Sequence, residues 1–286
     1  MQHEPYSIVM PAQRDTGVVF ASPHSGRAYD AAFVNHSRLD FLQLRSSEDA
    51  FVDDLFGTAP ACGAPFLMAR APRAYVDLNR APEELDPALI EGVRRVSQNP
   101  RVASGLGVIP RVVAGGRAIY TGKITLEDAH HRIKTYWRPY HDRLQTLLDE
   151  ARRDFGQGIL IDCHSMPHEA LDQSVRNGQR PDVVIGDRFG AAASPRIVAA
   201  VEAAFAAAGF RTVRNVPFAG AYIAQAYGRP SRCQHAVQVE IDRALYMNES
   251  TLTLRSDVAD MKSALSAVVA DLAHIGRTTE RRLAAE

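Results

Sequence analysis

Two apolar runs in this sequence stop at a histidine. "VVFASPHSG" (18–26) delivers His24, and "GILIDCHSMP" (158–167) delivers His164. Imidazole is the commonest side-chain metal ligand. A catalytic zinc takes three protein ligands, usually His with Asp or Glu, and keeps a fourth position open for water. "SSEDAFVDDLF" (46–56) offers Glu48 or Asp49 for the third place, soon after the first histidine. Each part also has a plainer use. A histidine at a strand exit can be structural, and acids at a helix start are favoured by the helix dipole.

Three further groups bear on that chemistry. In "APRAYVDLNR" (71–80), Asp77 and Asn79 fall on one face of a strand-like run flanked by Arg73 and Arg80. An acid commonly orients a ligand imidazole, and arginines suit a carboxylate or a developing oxyanion; solvated arginines at a strand exit are the alternative. The two-residue period of a strand puts Asp162 on the side of His164 and turns Cys163 toward the core, which disfavours a Cys163–His164 dyad. In "CQHAVQVEIDRALYMNE" (233–249), Gln238, Glu240 and Asp242 share a face opposite Val237, Val239 and Ile241. A carboxylate inside such a strand is costly unless paired or used, so Glu240 is the candidate general base. No G-x-S-x-G, G-x-G-x-x-G or G-x-x-x-x-G-K-[ST] motif is present, so serine-hydrolase, dinucleotide and P-loop readings gain no support.

The elements that must position these groups follow from periodicity. Strands are expected at 17–22, 65–69, 74–78, 158–163, 182–186, 211–216 and 235–241. Helices are expected from about Ser47 to Gly57 or the Pro60–Gly63 turn, and from the Thr125–Asp128 start to Gly156. Two more are expected from Ser194 to Gly209 and over 250–285. Strands alternating with helices predict an α/β fold with a mixed, mostly parallel sheet covered on both faces, in one domain over 1–286. Open sheets of this kind place their chemistry beyond the carboxyl ends of the strands. The Gly- and Pro-rich stretch 86–118 is read as an excursion over the sheet edge or the site.

The 33 basic and 33 acidic residues cancel, which argues against nucleic acid or an anionic membrane as partner. Three scattered cysteines form neither a disulfide framework nor a CxxC metal pair. With no signal peptide and no spanning apolar run, the sequence reads as a cytoplasmic protein.

Taken together, "PHSG", "SEDAFVDDLF", "PRAYVDLNR", "DCHSMP" and "VQVEIDRALYMNE", in that order, resemble the N-formylglutamate amidohydrolases, relatives of the zinc carboxypeptidases and of aspartoacylase. The resemblance implies a three-layer α/β/α, zinc-carboxypeptidase-like (phosphorylase/hydrolase-like) fold. It also implies a Zn2+ enzyme acting on a small N-acyl amino acid, N-formyl-L-glutamate, to give formate and glutamate. By motif, His24 and His164 are the imidazole ligands. The carboxypeptidase H-x-x-E acid is missing, because position 27 is Arg27, so the third ligand comes later: Asp49 first, Glu48 second. Asp77 and Asp162 support the ligands, Asn79 and Arg80 hold a substrate carboxylate, Arg73 polarises the scissile carbonyl and Glu240 is the base. A second substrate carboxylate calls for more cations, for which Arg229 and Arg232 are candidates. Another N-acyl amino acid as substrate, or a non-catalytic acidic amino-acid-binding protein on the same fold, are the alternatives.

Overall fold

The apolar runs pair into one seven-stranded mixed sheet in the computed structural model, which describes residues 4–93, 99–174 and 180–277. Its strands are β1 (Tyr6–Val9), β2 (Val18–Ser22), β3 (Phe66–Ala69), β4 (Gly158–Met166), β5 (Val183–Gly186), β6 (Thr212–Arg214) and β7 (Gln234–Asp242). Their spatial order is β1-β3-β2-β4-β7-β5-β6. The β1–β3 and β7–β5 pairs are antiparallel and the other four are parallel. The central strands β2, β4 and β7 are buried along their whole length, as expected where both faces of a sheet are covered.

Side-chain alternation divides the core. Ile159, Ile161, Cys163, Val237, Val239 and Ile241 face one apolar cluster, shared with helices α3 (Pro195–Ala207) and α5 (Val258–Ile275). Leu160 and Ala236 face the other, shared with α1 (Leu126–Arg132), α2 (Arg138–Phe155) and α4 (Tyr222–Tyr227). A π-helical turn, Ile133–Trp137, joins α1 to α2, so the expected helix up to Gly156 is present, stopped by that glycine at φ 76°. Thr125 caps its start by accepting from the Asp128 N–H.

Three expectations need correction, and one strand is new. Residues 74–78 are not a strand: Tyr75 and Val76 donate their N–H groups to Pro72 O, and the chain turns. Val76 and Leu78 are apolar because they enter the second cluster, not because they pair in a sheet. The helix expected from Ser47 is a 3-10 turn (Arg45–Ser47), four residues of bend and turn (48–51) and a four-residue helix (Val52–Leu55), because Phe51 at φ 66° breaks the run. The last helix starts at Val258 rather than 250. Asn248 Oδ1 instead takes the N–H groups of Ser250 and Thr251, and Leu252 is left-handed. The part of that expectation covering 278–285 lies outside the described residues. β1 was not anticipated: it is a four-residue, half-buried edge strand with little periodic signal.

Candidate active site

The site forms where β2, β4 and β7 end. Two residues after β2, the Pro23–Gly26 turn carries His24 inward, 1% exposed. Gly26 permits this path: a Cβ there would lie 2.1 Å from Ala71 O, and the Ala28 N–H is bonded to Arg70 O close by. Backbone cannot yield as a side-chain tip can. Gly26→Ala is therefore expected to lose about 1–3 kcal/mol or more of stability, the usual range for overpacking, read as a lowered denaturant midpoint. An unchanged midpoint would show that the turn has slack.

His24 O accepts the Asp49 N–H at 3.0 Å, which ties the 46–50 loop to the first histidine. His164 stands on β4 with Cys163 turned into the core, as strand alternation requires. His24, Asp49 and His164, all buried, each offer one ligand atom, and these atoms lie within 4.8 Å of one another. Asp49 Oδ2 is 2.8 Å from His164 Nδ1 and 3.4 Å from His24 Nδ1. The opposite ring nitrogens are each backed by an acid. His24 Nε2 meets Asp77 Oδ1 at 2.7 Å, and His164 Nε2 lies 3.2 Å from Asp162 Oδ2. The acid bonded behind His24 fixes the tautomer that leaves its Nδ1 free to ligate.

The donor set fits a transition-metal ion. His24 Nδ1 is buried without a hydrogen-bond partner, an expense that a bound cation removes. Burial opposes charge on both Asp49 and His164. The two imidazoles nonetheless hold the Asp49 carboxyl well below the usual carboxylate range, and Asp162, Asp49 and Glu240 hold His164 well above the usual imidazole range. So many buried carboxylates around one point favour positive charge there, and two imidazoles with one carboxylate suit zinc better than calcium or magnesium.

Glu48 does not join this group. Arg45 grips it with Nε and Nη2 at 3.0 and 2.9 Å, and the Tyr29 hydroxyl donates to it at 3.3 Å. Asp49 is the acid that reaches the histidines.

The parallel register of β4 and β7 sets His164 beside Glu240. Glu240 Oε1 accepts from Gln238 Nε2 at 2.9 Å, and Gln238 Oε1 accepts the Ala221 N–H at 3.2 Å, so the amide orients the carboxyl. Burial pushes the Glu240 carboxyl up to about 7; His164 and Arg73 pull it down, while Asp49 and Asp162 push it up. Arg73 Nε donates to Asp77 Oδ2 at 3.1 Å. Arg80 donates to Leu106 O at 3.0 Å and to Asn79 O at 2.8 Å. Asn79 Oδ1 accepts the Ile223 N–H at 2.8 Å, and its Nδ2 lies 3.2 Å from His164 Nε2.

His24, His164, Glu240, Arg73, Asn79 and Arg80 all open onto one cavity of about 760 Å³. Arg101, Ser104, Leu106, Pro110 and 112–116 supply one wall, so the excursion after residue 86 does cover the site; residues 94–98 of it lie outside the described set. Arg229 and Arg232 are not there. They are exposed and precede Gln234, at the start of β7, whereas Glu240 is six residues on, roughly 20 Å along the strand. The cations that do line the cavity beside Arg73 and Arg80 are Arg101 and Arg243, neither foreseen from sequence. Arg243 carried a usable signal, as a cation placed directly after a buried strand; Arg101 sits in a stretch with no period to read.

Residues 16–247 match the family model described as N-formylglutamate amidohydrolase. The N-formylglutamate deformylase of Pseudomonas aeruginosa is 30% identical over 260 residues, covering 87% of this chain and 89% of the relative. That of Pseudomonas putida is 29% identical over 267 residues, covering 88% and 92%. The crystal structure of N-formylglutamate amidohydrolase from Ralstonia eutropha JMP134 superposes with a TM-score of 0.89 at 31% identity, over 96% of this chain and 99% of that one. The gene product Atu2144 of Agrobacterium tumefaciens shares the fold at a TM-score of 0.61 and 17% identity, over 96% and 97%.

Proposed function

Because the chain belongs to the N-formylglutamate amidohydrolase family, we propose that it is a zinc-dependent hydrolase that cleaves N-formyl-L-glutamate to formate and L-glutamate. The observation that carries this reading is the buried His24–Asp49–His164 group sharing one cavity with Glu240 and several arginines. Helices over both faces of the sheet support the three-layer, zinc-carboxypeptidase-like architecture, built as a single catalytic domain. We place it in a reducing cytoplasm, where three free cysteines are ordinary; no helix among the described residues is long and apolar enough to cross a membrane.

His24, Asp49 and His164 hold the zinc. When bound, zinc supplies Lewis acidity, lowering the pKa of a water toward roughly 7 and polarising a carbonyl. Glu240 takes a proton from the attacking water and later gives it to the departing amine nitrogen, so one carboxyl is base and then acid. Its burial favours the uncharged form and brings it near the working range for that exchange. Arg73, held by Asp77, donates to the carbonyl oxygen as charge develops there. Asn79 and Arg80 face the substrate α-carboxylate, and Arg101, on the same wall, faces the second carboxylate.

A formate-release screen over N-acyl amino acids, with metal content measured on the same preparation, tests the reading. Turnover of N-formylglutamate that follows zinc content supports it, and inertness of the zinc-loaded protein toward every member overturns it. A second reading, hydrolysis of a larger N-acyl amino acid, draws on the cavity volume and on the apolar wall of Leu106, Val112, Val113 and Phe218. The same screen separates the two.

The arginine roles give a specificity prediction. A guanidinium matches a carboxylate with two parallel bonds, and lysine does not. Arg80→Lys is expected to lower kcat/KM for every N-formyl amino acid by about tenfold or more, the loss of one charged contact. Formamides lacking the carboxylate should lose far less. Arg101→Gln is expected to penalise N-formylglutamate and spare N-formylalanine. Equal losses on both substrates of either pair would remove that arginine from carboxylate recognition.

A further inference from the structure

Arg243 is a buried cation, 4% exposed, that the mechanism above leaves unused. It follows β7 directly, and its three guanidinium nitrogens reach separate parts of the site. Nη2 donates to Asp49 Oδ1 at 2.9 Å, Nε to Ser165 Oγ at 3.2 Å, and Nη1 to Ser46 O at 3.4 Å. The two oxygens of Asp49 are thereby divided. Oδ1 belongs to Arg243, while Oδ2 faces both imidazole Nδ1 atoms.

Resting on the reading of His24, Asp49 and His164 as the metal site, we propose that Arg243 is a positioning residue that makes Asp49 a one-oxygen ligand. A carboxylate near a metal can ligate through one oxygen or both. With Oδ1 held in a charge-assisted bond, rotation toward two-oxygen ligation would break that bond and strand a buried guanidinium. A second oxygen would also fill a position that a hydrolytic zinc site keeps open. Ser165 fixes the arginine from the other side. Lysine carries its three donors on one nitrogen and lacks the planar fork that spans Asp49 and Ser165 here.

Cobalt(II) substituted for zinc reads this directly, because its visible absorption is strong in four-coordinate sites and weakens as coordination number rises. The metal-free protein is titrated with cobalt(II), with bound metal counted per chain, for wild type, Arg243→Gln, Arg243→Lys and Ser165→Ala. We expect Arg243→Gln to keep bound cobalt but lose visible intensity severalfold as Asp49 closes on the metal with both oxygens. Arg243→Lys should retain part of the wild-type band, since its charge still restrains Asp49. Ser165→Ala, which keeps the arginine but loosens it, should show a smaller loss in the same direction and keeps the test open if Arg243→Gln does not fold. Spectra of Arg243→Gln, or failing that of Ser165→Ala, that superimpose on wild type at equal occupancy overturn the proposal. If the wild-type chain takes up no metal, the metal reading itself falls and this proposal with it.

Discussion

His24→Ala and His164→Ala are each expected to yield a folded protein with no stoichiometric zinc and no measurable turnover, against an expected content of about one zinc per chain in wild type. Each histidine supplies one of only three ligand atoms in the group, and removing one leaves an imidazole and a carboxylate, too few to hold a catalytic zinc. The fold should survive because the group lies at the strand ends, outside the two apolar clusters that cover the sheet. Some stability is lost. His24→Ala takes the imidazole from Asp77 Oδ1 but leaves it the Asn79 N–H, at a typical cost of about 1.5–3 kcal/mol for one hydrogen bond to a charged group. Metal analysis after dialysis, far-UV circular dichroism and formate release on one preparation check the expectation. Stoichiometric zinc retained when both substitutions are combined in one chain would sink the ligand assignment.

How much of this was legible before the structure depends on what each residue's signal rests on. His164, Asp162, Cys163 and Glu240 sit in strands, where a two-residue period fixes the side each faces, and the sequence places all four correctly. The sheet register that sets His164 beside Glu240 carries no such mark, because pairing partners 76 positions apart leave no local trace. Asp77 and Asn79 were placed on the same side for a wrong reason. No strand exists there; the Asp77 carboxylate takes the Asn79 N–H at 2.8 Å, and a tight turn directs it to His24. The choice between Glu48 and Asp49 turned on Arg45, whose hold on Glu48 depends on a 3-10 turn that an α-helical reading of the segment obscured. The largest departure concerns Arg229 and Arg232, which do not line the cavity. Arg229 and Arg232 are close to Glu240 in sequence, but a strand is extended, and the six residues from Gln234 to Glu240 leave both arginines beyond its opposite end. Arg101 reaches the cavity only through the 86–118 excursion, whose path is set by tertiary packing.

Glu240→Gln is expected to retain zinc and substrate binding while lowering kcat by roughly 10²–10⁴-fold, the range for losing a general base. The substitution preserves shape and keeps an oxygen able to accept from Gln238 Nε2, so the local hydrogen bond need not be lost. What it removes is the capacity to hold a proton taken from water and return it to the amine. Because that exchange occurs on the way to the transition state, the loss should fall on kcat with KM little changed. If Glu240 were instead only a structural acid, the pattern would reverse, with a lower melting temperature and near-normal specific activity in the folded fraction. Burial alone predicts no such destabilisation, since a carboxyl pushed up to about 7 gains nothing by being ionised in this setting and an amide avoids the cost of charge. Melting temperature, zinc content and turnover measured on the same sample therefore discriminate the two roles. Zinc retained with wild-type turnover would take Glu240 out of the reaction and leave the proton to some other group lining the cavity.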